Sequence, residues 1–233
     1  MGDSFCQFQV NRHKRIFQFS RNMNNEERIN ELEQRLSKVE RIVGDDAGDS
    51  TTKNWVWTLT HQEDKTTVSF PECEIFDLDP IREFDEIEVL GLRCNRIKDI
   101  NPLSKLKQIK KLNLRRNQIY DISPLRNLST LEELSLEKNP VSDISALGEL
   151  RNLKVLDLES TQITDEGLKE MIELPNLKEL YAGSTKITDT GLEELAKCKQ
   201  LTLLDLTDTN ITKVSVTELQ EALPECEIRH DYE

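Results

Sequence analysis

The feature that most restricts how this chain can fold is an apolar pattern that returns every 22 residues. The pattern Leu-x-Leu-x-x-Asn-x-Ile/Val starts at Leu90, Leu112 and Leu134. Periods of roughly 20 to 50 residues are typical of solenoids. No single repeat can bury its apolar face alone, so neighbouring repeats must stack. The sequence therefore predicts a stacked array with one continuous core.

The repeat frame extends in both directions. A fourth copy starts at Leu156, and copies at Leu180 and Leu204 follow at a step of 24 residues. The same step predicts a last strand around Ile228. Backwards, a step of 22 predicts a degenerate first repeat that begins near residue 66. Its apolar positions are Val68, Phe70, Cys73, Ile75, Leu78, Ile81, Phe84 and Ile87.

The segments that connect the strands differ between the two parts of the array. Pro102 and Pro124 recur in the 22-residue copies and favour short turns, because proline interrupts a helix. The later copies carry Thr-Asp-x-Gly-Leu at residues 164–168 and 188–192, followed by apolar residues at helical spacing. The sequence therefore predicts a true helix that carries Leu192 on its buried side.

These motifs resemble the leucine-rich-repeat family over roughly residues 66–228. The 22-residue copies are similar to the short repeats of internalins and phosphatase regulators, and the later copies to the bacterial TDxGLxxL type. The resemblance implies an α/β leucine-rich-repeat solenoid, with parallel strands on the concave face and turns and short helices on the convex face. It also implies that the chain binds another protein.

Two polar positions recur with the repeat. We expect the first to satisfy the backbone of the turn that leaves each strand. It holds Cys73, Asn95, Asn117, Asn139, Thr161, Thr185 and Thr209. We expect each aspartate at the second position to close the convex turn of its own repeat, because calcium would need several converging oxygens. These aspartates are Asp77, Asp99, Asp121, Asp143, Asp165 and Asp189.

The chain upstream of the repeats has a different composition. Residues 1–22 are expected to be disordered or to precede the native start, and residues 44–51 to be a flexible linker. Residues 23–43 are predicted to form an amphipathic or short coiled-coil helix, which self-associates, docks on its own solenoid or is only marginally stable. Its apolar seam consists of Ile29, Leu32, Leu36, Val39 and Val43.

Both ends of a repeat array need caps. Residues 52–65, in which Trp55, Trp57 and Leu59 stand at alternate positions, are predicted to form a hairpin over the N-terminal end of the core. Cap packing is the preferred role of the tryptophans, and a binding hot spot is the alternative. Residues 66–233 are predicted to be the repeat domain with its C-terminal cap. That cap is expected to use Leu219, Ala222, Leu223 and the strand around Ile228.

The concave side of the predicted sheet is the preferred binding face. Residues that alternate with the buried leucines project from it. The candidate partner-binding residues are Arg93, Lys111, Asn113, Arg115, Glu133, Glu137, Asp157, Glu159, Tyr181 and Asp205. The face is predicted to be basic in the earlier repeats and acidic in the later ones. Residues 87–139 carry 11 basic and 6 acidic side chains, whereas residues 140–233 carry 9 and 20.

The charges on this face support two interpretations. Cross-strand pairs Arg115–Glu137 and Lys111–Glu133 would each contribute about 0.2–1 kcal/mol and leave a self-neutralising surface. Arg93 directly beside Arg115 does not help folding and favours a face that steers a partner of opposite charge pattern. Tyr181, the lone aromatic residue predicted on the face, is the preferred hot spot.

Composition and motifs disfavour most other functions. A net charge of −13 argues against nucleic-acid binding, and no apolar run is long enough to span a membrane. The sequence has no GxGxxG, phosphate-loop or GxSxG motif, and His13, His61 and His230 are far apart. We therefore expect no enzymatic activity, no cofactor and no metal site. Five cysteines without a CxxC pair fit reduced thiols, so a cytoplasmic location is expected.

Two functions from different classes remain open at this point. The first is a non-enzymatic scaffold or regulator that binds a partner protein of unknown identity through the concave face. The second is a structural homo-oligomeric subunit that assembles through the helix predicted for residues 23–43.

Overall fold

The computed structural model describes residues 66–232 together with Gln34 and Trp55. Within residues 66–232, eight short strands pair in sequence order to form one parallel sheet. The strands are β1 (Thr67–Ser69), β2 (Val89–Gly91), β3 (Lys111–Asn113), β4 (Glu133–Ser135), β5 (Val155–Asp157), β6 (Glu179–Tyr181), β7 (Leu203–Asp205) and β8 (Glu227–Arg229). Paired residues are 22 apart from β1 to β5 and 24 apart from β5 to β8, which confirms the predicted frame.

The convex connections change character along the array, as predicted. The earlier ones contain 3₁₀ helices, and prolines stand at the start of the first three because their fixed φ suits that position. These helices are Asp79–Glu83, Asn101–Lys105, Ser123–Leu125 and Ser145–Glu149. The later connections contain the 3₁₀ helix Asp165–Leu168 and three α-helices. The α-helices are α1 (Lys169–Ile172), α2 (Asp189–Leu195) and α3 (Lys213–Ala222).

One hydrophobic core runs between the sheet and the convex connections. All eight apolar positions of the degenerate first repeat are buried, with exposed fractions of 9% or less, so the backward extension of the frame is confirmed. The strand leucines behave in the same way, and Leu114 and Leu158 are 0% exposed. Burial of each such side chain contributes about 1.5–3 kcal/mol. Among the described residues, no helix has the length and apolarity needed to cross a membrane.

The polar ladder has the structural role that the sequence predicts. The Asn117 side chain accepts a hydrogen bond from the backbone N–H of Ile97 at 3.1 Å. It donates to the carbonyl oxygens of Leu92 and Leu114, both at 2.9 Å. Each asparagine therefore ties its own repeat to the preceding one. The threonines make a shorter-range contact, since the Thr185 hydroxyl donates to Ala182 O within its own repeat, at 2.6 Å.

A residue in the left-handed region precedes every ladder position. These residues have φ between 53° and 58° and allow the chain to turn sharply where it leaves the sheet. They are Glu72, Cys94, Arg116, Lys138, Ser160, Ser184 and Asp208. None is glycine, so each carries a local conformational cost.

The prediction for the aspartate series is right for the first four members and wrong for the last two. The Asp99 carboxylate accepts a hydrogen bond from Asn101 N at 2.8 Å, within its own turn. The carboxylates of Asp77, Asp121 and Asp143 likewise each accept a hydrogen bond from the backbone N–H two residues later. Asp165 instead accepts from the N–H and hydroxyl of Thr188 in the next repeat, at 2.8 and 2.7 Å. The Asp189 carboxylate accepts from Thr212 N at 2.7 Å.

The ends of the core are closed by apolar side chains. Trp55 is 1% exposed and packs edge to face on Phe70, with ring centroids 5.5 Å apart, as a cap residue should. Its backbone is helical, so the strand predicted for this residue is not formed there. At the other end, Leu219 and Leu223 of the α3 region are buried, as predicted, and β8 contains Ile228.

Most of the sequence upstream of the repeats lies outside the described residues. Gln34 is helical and exposed. The predicted disordered segment 1–22, the seam helix 23–43, the linker 44–51 and the rest of the hairpin 52–65 therefore stay predictions.

Candidate binding surface on the concave face

The sheet register brings the predicted binding residues into columns that run across the strands. Lys111 of β3 pairs with Glu133 of β4. Asp157 of β5 pairs with Tyr181 of β6, which in turn pairs with Asp205 of β7. Because neighbouring strands lie about 4.8 Å apart, side chains in one column are in contact range of each other. The predicted residues thus share one surface.

Both predicted cross-strand ion pairs are confirmed. Lys111 Nζ lies 2.6 Å from Glu133 Oε1, and Arg115 Nε lies 2.8 Å from Glu137 Oε2. The hydrogen bond and charge of Glu133 raise the pKa of the Lys111 ammonium group. Two of the three cations predicted on the N-terminal half of the face are therefore matched by carboxylates from β4 and the turn after it.

Glu137 is the most deeply placed charge on this face, at 3% exposure. Its second oxygen lies 2.7 Å from Lys138 Nζ, so two cations hold one buried carboxylate. A buried charge is costly unless it is paired in this way. Arg93 does not compete for it, because Arg93 Nη1 lies 3.6 Å from Glu72 Oε1. The two arginines thus have separate carboxylate partners, which relieves the repulsion expected between them.

The C-terminal half of the face carries carboxylates without such compensation. Burial raises the pKa of the Asp157 carboxyl, although Ser135 Oγ and Glu159 N donate hydrogen bonds to it at 2.8 and 3.1 Å. Burial and the nearby charge of Glu137 also raise the pKa of Glu159, and Lys138 approaches it only to 4.0 Å. The raised pKa values mean that negative charge here is less favourable than in water.

Tyr181 lies next to these carboxylates and is half-buried. Its hydroxyl donates to Glu179 Oε2 at 2.9 Å, and burial raises the pKa of the phenol. The ring is therefore held in place before any partner arrives. A fixed aromatic residue beside charged groups is typical of binding hot spots.

Three of the predicted binding residues also have a local role that the sequence analysis missed. The side-chain oxygens of Asn113, Asp157 and Asp205 each accept a hydrogen bond from the backbone N–H two residues later, at 3.0–3.1 Å. The recurrence of Asn or Asp at this column, in three of six repeats, is the signal that could have shown it. These side chains are therefore oriented by the sheet itself.

Arg229 is a further charge at this end of the face that the sequence analysis missed. It pairs with Asp205 in the sheet register, and its guanidinium group lies 2.7 Å from Glu227 Oε1. Within the described residues, no group of three or more His, Cys, Asp or Glu side chains could hold a metal ion.

The parallel sheet and its convex connections form a leucine-rich-repeat solenoid. A family model described as leucine-rich repeats, in two copies, matches residues 85–127 and 129–170. No curated protein matches the chain.

Solved structures share the fold. The internalin inlF from Listeria monocytogenes is 28% identical with a TM-score of 0.63, and the match covers 69% of this chain but only 45% of that one. Internalin C2 from the same organism is 26% identical with a TM-score of 0.62, and coverage is 78% and 93%. The plant peptide hormone receptor RGFR1, in complex with RGF2, is 19% identical with a TM-score of 0.51, covers 71% and 32%, and shows the fold alone.

Proposed function

We propose that the chain is a non-enzymatic scaffold or regulator that binds a partner protein through the concave face. Repeat solenoids commonly use this extended surface for binding. The plant receptor that shares the fold was solved in complex with RGF2. These similarities support protein binding as the general role.

The distribution of unmatched charge carries the proposal further. Lys111 and Arg115 are matched by Glu133 and Glu137, whereas Asp157 and Glu159 share the C-terminal half with few cations. Because Lys138 Nζ approaches Glu159 Oε1 only to 4.0 Å, an added positive charge is favourable there. We therefore expect a partner that places lysine or arginine side chains between Tyr181 and these carboxylates.

The test is capture of partners from native cell extract on the immobilised full chain. The concave variant is Asp157→Asn/Glu159→Gln/Asp205→Asn, in which asparagine can still accept the local backbone hydrogen bond. The matched control removes three exposed carboxylates of the convex side, in Glu193→Gln/Glu218→Gln/Glu221→Gln. Retention by the wild type and the control, with at least about tenfold loss on the concave variant, is expected. Equal retention by all three chains contradicts the proposal.

A second variant distinguishes the acidic half from the basic half. Arg93→Glu/Lys111→Glu/Arg115→Glu removes the cations on the N-terminal side of the face. If the partner is basic, this variant retains it at least as well as the wild type. Loss of the partner would show instead that the partner binds these cations, in agreement with the dipolar face that the sequence predicts.

The second candidate function is a structural homo-oligomer. It is favoured by the apolar spacing of residues 23–43, a segment that lies outside the described residues except for Gln34. Leu32→Lys/Leu36→Lys should then lower the mass in solution and leave partner capture unchanged.

A further inference from the structure

A second hydrogen-bonded ladder runs along the flank of the solenoid, where the chain turns from the sheet towards the convex side. Arg96 N donates to Ile75 O at 2.8 Å, and Gln118 N donates to Ile97 O at 2.9 Å. The side chains two residues after Arg96, and at the same position of the other repeats, form one column on this flank. This flank column consists of Phe76, Lys98, Tyr120, Ser142, Thr164, Thr188 and Thr212.

The two halves of the flank column have different contacts. Thr188 and Thr212 are bound by the carboxylates of Asp165 and Asp189 in the preceding repeats. In the N-terminal half the corresponding aspartates close their own turns, as Asp99 does, and leave the column free of such contacts. The side chains there are therefore not needed to connect the repeats.

Large apolar side chains occupy this unconstrained half. Phe76 is 53% exposed and Tyr120 is 67% exposed, and both stand at the same repeat position. Lys98 lies between them and makes no salt bridge with any described residue. Exposed apolar residues that are scattered singly need no explanation, but two on one column around a lysine form a small contact surface.

The spacing of this surface fits a helix better than a strand. Neighbouring strands are about 4.8 Å apart, so Lys98 is about 5 Å and Tyr120 about 10 Å along the column from Phe76. Helix positions i, i+4 and i+7 rise by about 6 and 10.5 Å. Alternate residues of a strand rise by about 7 and 13 Å, which overshoots both positions. A carboxylate at the middle helix position would meet Lys98.

We propose that Phe76, Lys98 and Tyr120 bind an amphipathic helix from a second copy of this chain. Residues 23–43 carry the required pattern, with Ile29, Glu33 and Leu36 at positions i, i+4 and i+7. Ile29 and Leu36 meet the two aromatic rings, and Glu33 pairs with Lys98. This surface is independent of the concave face, and it gives the self-assembly candidate a docking site on the solenoid.

The first test measures association of the full chain by sedimentation equilibrium. The wild type is expected to form dimers or larger species, and Phe76→Ser/Tyr120→Ser to weaken association at least about tenfold, because two large contacts are lost. Val214→Ser is the matched control, since Val214 is 67% exposed on α3, at the other end of the array from Phe76 and Tyr120. A wild type that is monomeric at every concentration overturns the proposal, as does an equal loss with the control.

The second test is a charge exchange. Lys98→Glu and Glu33→Lys should each weaken association about two- to fivefold, as expected for an exposed ion pair. The double variant Lys98→Glu/Glu33→Lys should restore it. If Leu32→Lys dissociates the chain while the two charge variants change nothing, the helix pairs only with another helix and the flank is not its site. The concave variant Asp157→Asn/Glu159→Gln/Asp205→Asn is a further control. It should lose partner capture but keep the wild-type association constant, so the two proposals can fail separately.

Discussion

The N-terminal repeats, from β1 to β4, and the C-terminal repeats, from β5 to β8, build one sheet with different connections between neighbouring repeats. In the N-terminal part the side-chain hydrogen bonds between repeats lie in the buried interior, where each asparagine bonds to the backbone of the preceding repeat. In the C-terminal part the threonine at the same position bonds only to its own strand. There the side-chain hydrogen bonds between repeats lie on the flank, where an aspartate accepts a hydrogen bond from a threonine of the next repeat.

This difference shows that two local solutions can serve one fold. An asparagine amide has two N–H donors and a carbonyl acceptor on a longer side chain and can bridge two repeats from a buried position, whereas the one donor of the Thr185 hydroxyl is taken by Ala182 O. At the two junctions that follow, between β5 and β6 and between β6 and β7, Asp165 and Asp189 link the repeats instead. The flank positions Thr188 and Thr212 are then occupied by these contacts, whereas those of the N-terminal part are available for other residues.

The largest effect is expected from loss of a ladder asparagine. Asn117→Ala removes four side-chain hydrogen bonds, one of them long at 3.4 Å, and leaves Ile97 N–H buried without its acceptor. We expect it to lower the free energy of unfolding by about 3 kcal/mol, measured by urea denaturation. Thr185→Ala removes one bond and should cost about 1 kcal/mol. Equal losses would show that the two ladders contribute alike and that the comparison is wrong.

The second prediction concerns the glycine of the C-terminal motif. A Cβ at Gly191 would lie 2.4 Å from Asp165 Oδ1 and 2.7 Å from Leu168 Cδ1, so the aspartate that links the repeats leaves no room for a side chain. Gly191→Ala should lower the free energy of unfolding by about 1–2 kcal/mol, the overpacking cost less the gain in helix propensity. Gly167→Ala is the control, because its Cβ would meet Ile144 Cγ1 at 3.1 Å and Cδ1 at 3.2 Å, a milder crowding that the gain in helix propensity offsets. Its effect should be close to zero.

The sequence was sufficient to predict the frame, because burial at Val68 and Ile87 follows from arithmetic on the repeat. It also predicted the Lys111–Glu133 pair, since parallel register places residues 22 apart side by side. It could not predict that Asp165 bonds to the next repeat while Asp99 bonds within its own turn, because both aspartates occupy the same repeat position. Which backbone N–H each carboxylate meets depends on how closely the next connection packs, and that is a tertiary property.

The third prediction concerns a feature that the two parts share. Arg116 and Ser160 have φ of 53° and 55°, and their repeats belong to the N-terminal and C-terminal parts respectively. Glycine adopts this conformation without a steric cost but loses more freedom on folding. Arg116→Gly and Ser160→Gly should therefore each raise the free energy of unfolding by about 0.5 kcal/mol. A gain in one part and a loss in the other would show that the turns differ as well.

The smallest effect is expected from the charges of the concave face, where the two halves should respond with opposite signs. The folded-state pKa of Glu159 is raised by burial and by Glu137, so its charge destabilises the fold above that pKa. Glu159→Gln should thus raise the free energy of unfolding at pH 7 by a few tenths of a kcal/mol, about the size of an exposed charge pair. Below the ordinary value of 4.5 the carboxyl is protonated and the gain should vanish.

Glu133→Gln is the matched change in the other half. It removes the 2.6 Å ion pair with Lys111, so it should lower the free energy of unfolding at pH 7 by about 0.2–1 kcal/mol. Urea titrations of both variants at pH 7 and pH 4 measure the two signs. If Glu159→Gln destabilises the chain at pH 7 as Glu133→Gln does, the carboxylates of the C-terminal half are matched after all. The charge argument for a basic partner then fails, because it depends on negative charge that the fold itself does not offset.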